Sequence, residues 1–217
     1  MTLRQFLLFT AFTLPACALL ILFLDQPLAA FIHARFGWAK PFFAALTAGA
    51  DAVHEALMQH VLGLPIIFLA LGLAFAIGRY GLKHRGATLF LVLLLTHEFS
   101  MVLAKALKGA VHRLRPEVQF GGGYAGTGLW ATGPHNDSFP SYHTAVYFSL
   151  FLPLALAFPR WRVPLLVLPG LIGLGRLVLG MHYLSDVWAS LWLVVALTFL
   201  FGLLEKPRVG AGLAPAH

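Results

Sequence analysis

The chain has 217 residues, of which 59% are hydrophobic and only 11% are charged, and its mean hydropathy is +0.83. Because about a quarter of an ordinary globular chain is charged, this composition excludes a water-soluble enzyme and makes lipid the solvent for much of the surface. The net charge of +7 is not arranged as a basic run interleaved with aromatic residues, which argues against nucleic acid as a partner and favours anionic lipid or an anionic substrate. The single cysteine, Cys17, excludes an internal disulfide and a thiolate metal cage.

Six apolar stretches, taken in chain order, are each predicted to form a membrane helix. They cover residues 6–24, 57–77, 87–107, 144–158, 163–180 and 187–204. About 20 helical residues cross a hydrocarbon core of about 30 Å, and only the fourth stretch is short enough to need flanking residues. Long runs without alternation exclude barrel strands. The sequence therefore predicts an all-α polytopic membrane protein with six transmembrane helices, a single domain over residues 1–217.

The first stretch has two alternative interpretations. Arg4 followed by an apolar run is typical of a cleavable signal peptide, but this run is too long for the apolar region of one. The string Leu14-Pro15-Ala16-Cys17 is similar to a lipoprotein site, but the apolar residues up to Leu24 would then have to be mature surface. A membrane helix is the preferred interpretation.

Basic residues in the short loops predict the orientation. Eight of them fall on one side if the six spans alternate: Arg4, Arg79, Lys83, Arg85, Arg160, Arg162, Lys206 and Arg208. By the positive-inside rule that side is cytoplasmic, together with both termini, which predicts a multi-pass protein of the cell (inner) membrane.

Two longer segments, residues 25–56 and 109–140, then face outward. The first is rich in aromatic residues and is expected to form helices lying in the membrane interface. The second is expected to be an irregular loop over the outer mouth, because it carries five closely spaced glycines: Gly121, Gly122, Gly123, Gly126 and Gly128.

Three polar clusters lie at predicted helix ends on this outer face. They are Lys108, Arg113 and Arg115 at the end of the third span, Ser141 and His143 at the start of the fourth, and Arg176, His182 and Asp186 between the fifth and sixth. Lys108, Arg115 and Arg176 supply charge and planar donors suited to a phosphoryl group. The outward N-termini of spans four and six add free N–H donors. The sequence thus predicts an anion site at the outer end of the helices.

The histidines of these clusters point to phosphoryl transfer. His182 and Asp186 are spaced i, i+4, so on a helix the carboxylate would accept the imidazole N–H and leave the other ring nitrogen as a nucleophile. His143 would then protonate the leaving alkoxide and later activate water. The alternative for Arg176 is a purely structural ion pair with Asp186. No cluster with metal-ligand spacing is present in the sequence, and no cofactor is expected.

The same residues carry a resemblance to a known family. Lys108 and Arg115-Pro116 match Lys-x6-Arg-Pro, residues 140–143 nearly match Pro-Ser-Gly-His, and Arg176, His182 and Asp186 match the end of Ser-Arg-x5-His-x3-Asp. The chain resembles an integral-membrane member of the type 2 phosphatidic acid phosphatase superfamily, whose site is similar to that of vanadium haloperoxidases, with its motif region over residues 108–186.

The resemblance implies metal-independent hydrolysis of a lipid phosphate or diphosphate at the extracytoplasmic face. The implied catalytic residues are His182, His143 and Asp186, and the implied phosphate-binding residues are Lys108, Arg115, Ser141 and Arg176. The substrate classes that it implies are undecaprenyl diphosphate, phosphatidylglycerol phosphate, phosphatidate and lipid A phosphate. A vanadate-dependent peroxidase would use a similar site, but the membrane composition argues against it.

Two positions depart from the family pattern. Tyr142 stands in place of the usual glycine, and we expect it to narrow the pocket or to contact the head group; Arg113 is a second possible substrate contact. Gly175 stands in place of the usual serine, which removes one phosphate donor.

Two other functions are compatible with the sequence. A phosphotransferase would pass the phosphoryl group to a second lipid, with Tyr142 shaping access of the acceptor. A transporter would use Glu98, Arg176 and Asp186 along an ion pathway, but no pair of inverted halves with broken helices is visible. His97 and Glu98 lie in the middle of the third span and outside the motifs, so each has a structural or a functional interpretation.

Overall fold

The computed structural model describes residues 1–122 and 126–205, and within them the chain is almost wholly helical. The α-helices of these residues are α1 Leu3–Leu19, α2 Asp25–Phe36, α3 Lys40–Leu57, α4 Ile66–Ala76, α5 Thr88–Val111, α6 Pro116–Phe120, α7 Tyr142–Ala157, α8 Arg162–Val178 and α9 Leu184–Gly202. A two-stranded antiparallel hairpin, β1 His60–Val61 and β2 Leu64–Pro65, separates α3 from α4. The prediction of an all-α fold is confirmed for the described residues, apart from this short hairpin.

The first 57 residues form a nearly continuous helical run. It begins with a capping box in which the Thr2 hydroxyl accepts from the Gln5 backbone N–H and the Gln5 side chain accepts from the Thr2 N–H. A π-helical segment, Leu20–Leu24, joins α1 to α2, and a 3-10 turn, Gly37–Ala39, joins α2 to α3. Residues 25–56 are therefore helical, as predicted.

Four segments of the described chain are long and apolar enough to cross a membrane. They are Leu3–Leu57, Arg85–Phe120, Pro159–Val178 and Leu184–Gly202, which contain the first and third predicted stretches and cover all but the last two residues of the fifth and sixth. The second and fourth correspond to shorter apolar helices, Ile66–Gly81 and Tyr142–Ala157. The second starts later than predicted because the chain turns at Leu62 and Gly63, both with positive φ, before helix α4 begins.

Helix α7 lies at the centre of the bundle. It packs against α5, α8 and α9, while α5 also contacts α9 and α4, α1 contacts α9, and α3 contacts α8. Fully buried alanines, Ala104 on α5 and Ala145 on α7, let the backbones approach closely. The central position of α7 places its N-terminal turn among the ends of its neighbours.

The segment predicted as an irregular loop, residues 109–140, is partly helical. Helix α5 continues to Val111 and ends where His112 adopts a left-handed conformation with φ 48°, and α6 adds one further short helix. The remaining described residues of the segment are turns and bends. Gly123 of the predicted glycine-rich loop, and Lys206 and Arg208 of the orientation pattern, lie outside the described residues.

Candidate active site

Backbone hydrogen bonds bring the three motif segments together at one end of the bundle. The loop after α5 is joined to the turn between α8 and α9 by the Glu117 N–H, which donates to the Gly180 carbonyl at 3.0 Å. The start of α7 is joined to α9 by the Ser141 N–H, which donates to the Asp186 carbonyl at 3.2 Å. Residues that are far apart in sequence therefore share one site.

The two motif histidines lie within reach of the same cations. Lys108 and Arg176 are each close enough to both His143 and His182 to act on their charge. Both imidazoles are thus at the same end of the bundle, as the sequence predicts.

The orientation of His182 is fixed by a backbone carbonyl. Its Nδ1 lies 2.6 Å from the carbonyl oxygen of Ser138 and 3.7 Å from the nearer carboxylate oxygen of Asp186. A carbonyl only accepts, so Nδ1 carries the proton and Nε2 carries the lone pair, an assignment made from the hydrogen-bond network. The predicted pairing with Asp186 is therefore present as a longer contact of 3.7 Å, and the short hydrogen bond of His182 goes to the Ser138 carbonyl instead. The reason is that His182 precedes α9, which begins at Leu184, so the two residues are not on one helix face.

The surroundings of His182 keep its imidazole neutral. Burial lowers the pKa of His182 to about 4; Asp186 opposes that shift, and the positive charges of Lys108 and Arg176 add to it. A neutral imidazole with a free Nε2 is the form that attacks phosphorus.

Asp186 supports the site through other residues. One carboxylate oxygen accepts from Arg113 Nη1 at 2.7 Å. The other accepts from the Ser138 hydroxyl at 2.6 Å and from the Tyr183 backbone N–H at 2.8 Å, as part of the N-terminal cap of α9. Because Ser138 in turn accepts from His182, the carboxylate holds the nucleophile in place through that residue.

Arg113 lies at the centre of a buried ion network. Its Nη2 donates to Asp25 at 2.8 Å, and its Nη1 donates to Ser185 at 2.6 Å as well as to Asp186. The side chains of Arg113, Asp25 and Asp186 are all 0% exposed. The possible substrate contact proposed for Arg113 is therefore not supported, because its guanidinium is enclosed by protein. Asp25, on α2, is a member of this network that the sequence analysis missed.

Arg176 is buried without a partner. It is only 7% exposed, and among residues 1–122 and 126–205 no acceptor for its Nε and no ion pair of its guanidinium is found. The structural alternative, an ion pair with Asp186, is wrong because Asp186 pairs with Arg113. An unpaired charge in an apolar bundle is expensive, so the position calls for an anionic ligand.

Lys108 and Arg115 share an acidic neighbour that the sequence analysis did not single out. Arg115 Nη2 donates to the carboxylate of Asp137 at 2.8 Å, and Lys108 Nζ donates to the Asp137 backbone carbonyl and lies 3.9 Å from its carboxylate. Partial burial raises the pKa of Asp137, but the hydrogen bond from Arg115 and the charge of Lys108 outweigh burial and leave the pKa below its usual value. An ionised carboxylate thus contacts two of the residues that are predicted to bind phosphate.

Ser141 caps helix α7 from a buried position. Its hydroxyl lies 2.9 Å from the Thr144 hydroxyl and accepts from the Thr144 backbone N–H at 3.4 Å. This capping role explains why a buried polar residue is found here even when no ligand is bound. The phosphate-binding role of Ser141 stays a prediction.

His143 is paired with Asp51 of α3. Its Nε2 lies 3.1 Å from one carboxylate oxygen of Asp51, and the other oxygen accepts from the Tyr147 hydroxyl at 2.6 Å. The sequence analysis missed Asp51 because it treated α3 as an interfacial helix. The spacing of Asp51, His54 and Glu55 on one face of α3 was the signal that could have found it.

A cleft of about 310 Å³ opens beside His143. It is lined by Asp51, His54, Glu55, Met58, Tyr142, His143 and Val146. Tyr142 therefore lies where it was expected, at the edge of the pocket, and its ring also contacts the Lys105 ammonium at 5.3 Å.

The two ionisable residues in the middle of α5 are placed differently. His97 is fully buried and bonded to His54 and Ser149, at 3.2 and 2.9 Å. Glu98 is half-buried and makes no ion pair within the described part of the chain. As expected for adjacent helical residues, they do not form a pair.

The departure at position 175 has a steric explanation. A Cβ placed on Gly175 would lie 2.8 Å from Cδ1 of Phe43, whose ring is buried against α8. The ring occupies the space that the usual serine would need.

Comparison with known proteins identifies relatives of the chain. A family model described as the PAP2 superfamily matches residues 86–208. A lipid A 1-phosphatase from Rhizobium johnstonii is 35% identical over 111 residues, which are 49% of this chain and 42% of the relative. A second, from Rhizobium etli, is 36% identical over 98 residues, or 43% of this chain and 40% of the relative. Each match covers less than half of the relative's length, and no solved structure gives a significant match.

Proposed function

The chain belongs to the PAP2 superfamily, and from this membership and the geometry of the site we propose that it is a metal-independent lipid phosphate phosphatase. The observation that carries the proposal is the buried guanidinium of Arg176, which forms no ion pair within residues 1–122 and 126–205, beside the neutral imidazole of His182. A tetrahedral oxyanion supplies the missing negative charge and presents phosphorus to His182 Nε2.

In the first step Nε2 of His182 attacks phosphorus, the new N–P bond forms, and the P–O bond to the lipid breaks. Lys108, Arg115 and Arg176 hold the three remaining oxygens, and His143 gives its proton to the departing alkoxide. Asp51 orients His143 for this transfer. The products of the step are a neutral lipid alcohol and a phosphohistidine.

In the second step water attacks the phosphohistidine while His143 takes the proton of the water. The N–P bond breaks, His182 recovers its neutral form, and inorganic phosphate leaves. Asp186 keeps His182 in position through Ser138 during both steps.

We further propose the membrane arrangement that the sequence predicts, with six spanning helices, an inner-membrane location and the site at the extracytoplasmic face. The substrate enters sideways from the bilayer. Because the named relatives are lipid A 1-phosphatases, a lipid A-type phosphate is the first substrate to test.

The test measures release of inorganic phosphate from a lipid phosphate in detergent with a chelator present. His182→Ala is expected to abolish release and to prevent labelling of the protein by a ³²P-labelled substrate. His60→Ala, in the exposed β1 strand, is the matched control, and it is expected to retain both phosphate release and labelling. Activity that persists in His182→Ala would refute the nucleophile assignment.

A second test separates a functional Arg176 from a structural one. Because this charge is buried and forms no ion pair with the residues that the structure describes, Arg176→Met is expected to raise the melting temperature of the ligand-free protein while abolishing phosphate release. A lower melting temperature would show that Arg176 serves the fold instead.

The role of His143 is tested with two leaving groups. His143→Gln is expected to lower turnover of an alkyl phosphate by about 10²- to 10⁴-fold. The rate of the first step is expected to fall by a smaller factor with para-nitrophenyl phosphate, because its phenolate leaves without a proton. If the rate of the initial product burst fell by the same factor with both substrates, the general-acid role of His143 would be contradicted.

A further inference from the structure

The cleft beside His143 shares that residue with the proposed catalytic machinery. His143 gives its proton to the leaving oxygen under the proposed function, and it also lines the cleft. A volume of about 310 Å³ falls at the lower end of the range for small-molecule sites, about 300 to 1,000 Å³. The lining residues therefore meet the first atoms of the leaving group.

A chain of hydrogen bonds determines which chemistry His54 offers to this cleft. The Ser149 hydroxyl donates to the Val146 carbonyl at 2.7 Å, so it accepts from His97 Nδ1. His97 Nε2 then carries a lone pair and accepts from His54 Nε2 at 3.2 Å. The other nitrogen of a neutral His54, Nδ1, is left as an acceptor with no hydrogen bond to the described residues.

Two carboxylates add further acceptors to the same cleft. Asp51 and Glu55 lie one turn apart on α3 and both line it. Asp51 already accepts from His143 and Tyr147, whereas Glu55 forms no ion pair within the part of the chain that the structure describes. The cleft thus combines negative charge with unused hydrogen-bond acceptors.

We propose that this cleft is a leaving-group subsite for a head group rich in hydroxyl or amine donors, such as a sugar, and that it rejects a leaving group in which a second phosphate directly adjoins the bond that breaks, as in a diphosphate. The inference rests on the proposed function. Donors satisfy His54 and the carboxylates, whereas a second phosphate places like charges together in a partly dry cleft. The enzyme therefore takes sugar phosphate monoesters in preference to lipid diphosphates.

The experiment compares kcat/KM for three detergent-solubilised substrates with the same alkyl chain: a glycosyl lipid 1-phosphate, an alkyl diphosphate and an alkyl monophosphate. The intact protein is expected to prefer the glycosyl phosphate to the diphosphate by at least about tenfold, the effect of one charged contact. Glu55→Gln is expected to reduce that ratio by up to about fivefold, since it removes the charge of an exposed carboxylate but keeps its shape.

Glu98→Gln on α5 is the matched control, because Glu98 does not line the cleft, and it is expected to leave the ratio unchanged. His54→Phe removes the acceptor nitrogen and keeps a ring, and it is expected to lower the ratio of the glycosyl phosphate to the alkyl monophosphate. An unchanged ratio in both Glu55→Gln and His54→Phe, or a preference of the intact protein for the diphosphate, would overturn the subsite. Absence of phosphate release from all three substrates would instead contradict the proposed function.

Discussion

Asp137 is predicted to compete with the proposed phosphate substrate for Lys108 and Arg115. Its carboxylate accepts from Arg115 at 2.8 Å and lies 3.9 Å from Lys108. A phosphate that binds to the same donors has to displace this carboxylate or tolerate its charge. Asp137→Asn keeps the size of the side chain and the backbone carbonyl that holds Lys108, and removes only the negative charge. We therefore expect this variant to bind oxyanions more tightly.

The size of the effect follows from the exposure of the pair. The Asp137 side chain is 46% exposed, so solvent screens the interaction and the value for exposed ion pairs applies, up to about 1 kcal/mol. Two unit charges about 4 Å apart in water give the same figure. An affinity gain of about 1 kcal/mol corresponds to an inhibition constant lower by about fivefold.

The assay is competitive inhibition of phosphate release by orthovanadate and by inorganic phosphate, at low ionic strength. Glu117→Gln is the matched control: this carboxylate lies 3.7 Å from Arg115 and 3.1 Å from His135 Nδ1 and is not paired with Lys108 in the described part of the chain, so its removal should lower the inhibition constants less. If Asp137→Asn leaves the inhibition constants unchanged or raises them, the carboxylate orients the cations for phosphate and does not compete with it.

Three further predictions concern the support of the site. Arg113→Met leaves two buried carboxylates without their cation, so the free energy of unfolding should fall by about 3–5 kcal/mol and the melting temperature by roughly 6–20 °C. Adding Asp25→Asn should restore part of the stability, and no loss of stability in Arg113→Met would contradict the ion network. Gly175→Ser should lower unfolding free energy by about 1–3 kcal/mol by overpacking, and a cost equally large in a Phe43→Ala background would exclude the ring as the cause. Histidine hydrogen–deuterium exchange at C2, read by mass spectrometry, should give His182 a pKa of about 4, against about 6.5 in the denatured chain. As the pH falls from 6.5 towards 4 the unfolded chain gains a proton here that the folded chain does not, so this residue lowers stability in that window; a folded midpoint near 6.5 would show that His182 is not desolvated.

The helical class and the motif residues could be read from the sequence because both depend on local patterns. Where no water is present, the backbone of an apolar run satisfies its hydrogen bonds by forming a helix. The apolar runs of the sequence therefore predicted all four long apolar segments of the described chain. The spacing of Lys108, Arg115, Arg176 and His182 indicated a family that the comparison confirms. The motifs of the family are short and local, so a single chain was enough to propose the residues that carry the chemistry.

Pairings between distant elements were not accessible in the same way. Asp25 meets Arg113 across 88 positions, and Asp51 meets His143 across 92. Both acids lie on helices that precede the region matched by the family model, and no spacing rule connects them to their partners. Asp137, only 22 positions from Arg115, depends instead on the path of the loop after α6.

The sequence by itself determined that this chain is a bundle of apolar helices with basic and imidazole groups at their ends, because composition and periodicity act within one segment at a time. Only the tertiary structure decided which acid neutralises which base. That choice pairs Asp186 with Arg113 and leaves Arg176 without an ion pair among the described residues. It also fixes His182 through the Ser138 carbonyl. Partners in a packed interior are selected by which helices touch, and that is a property of the whole fold.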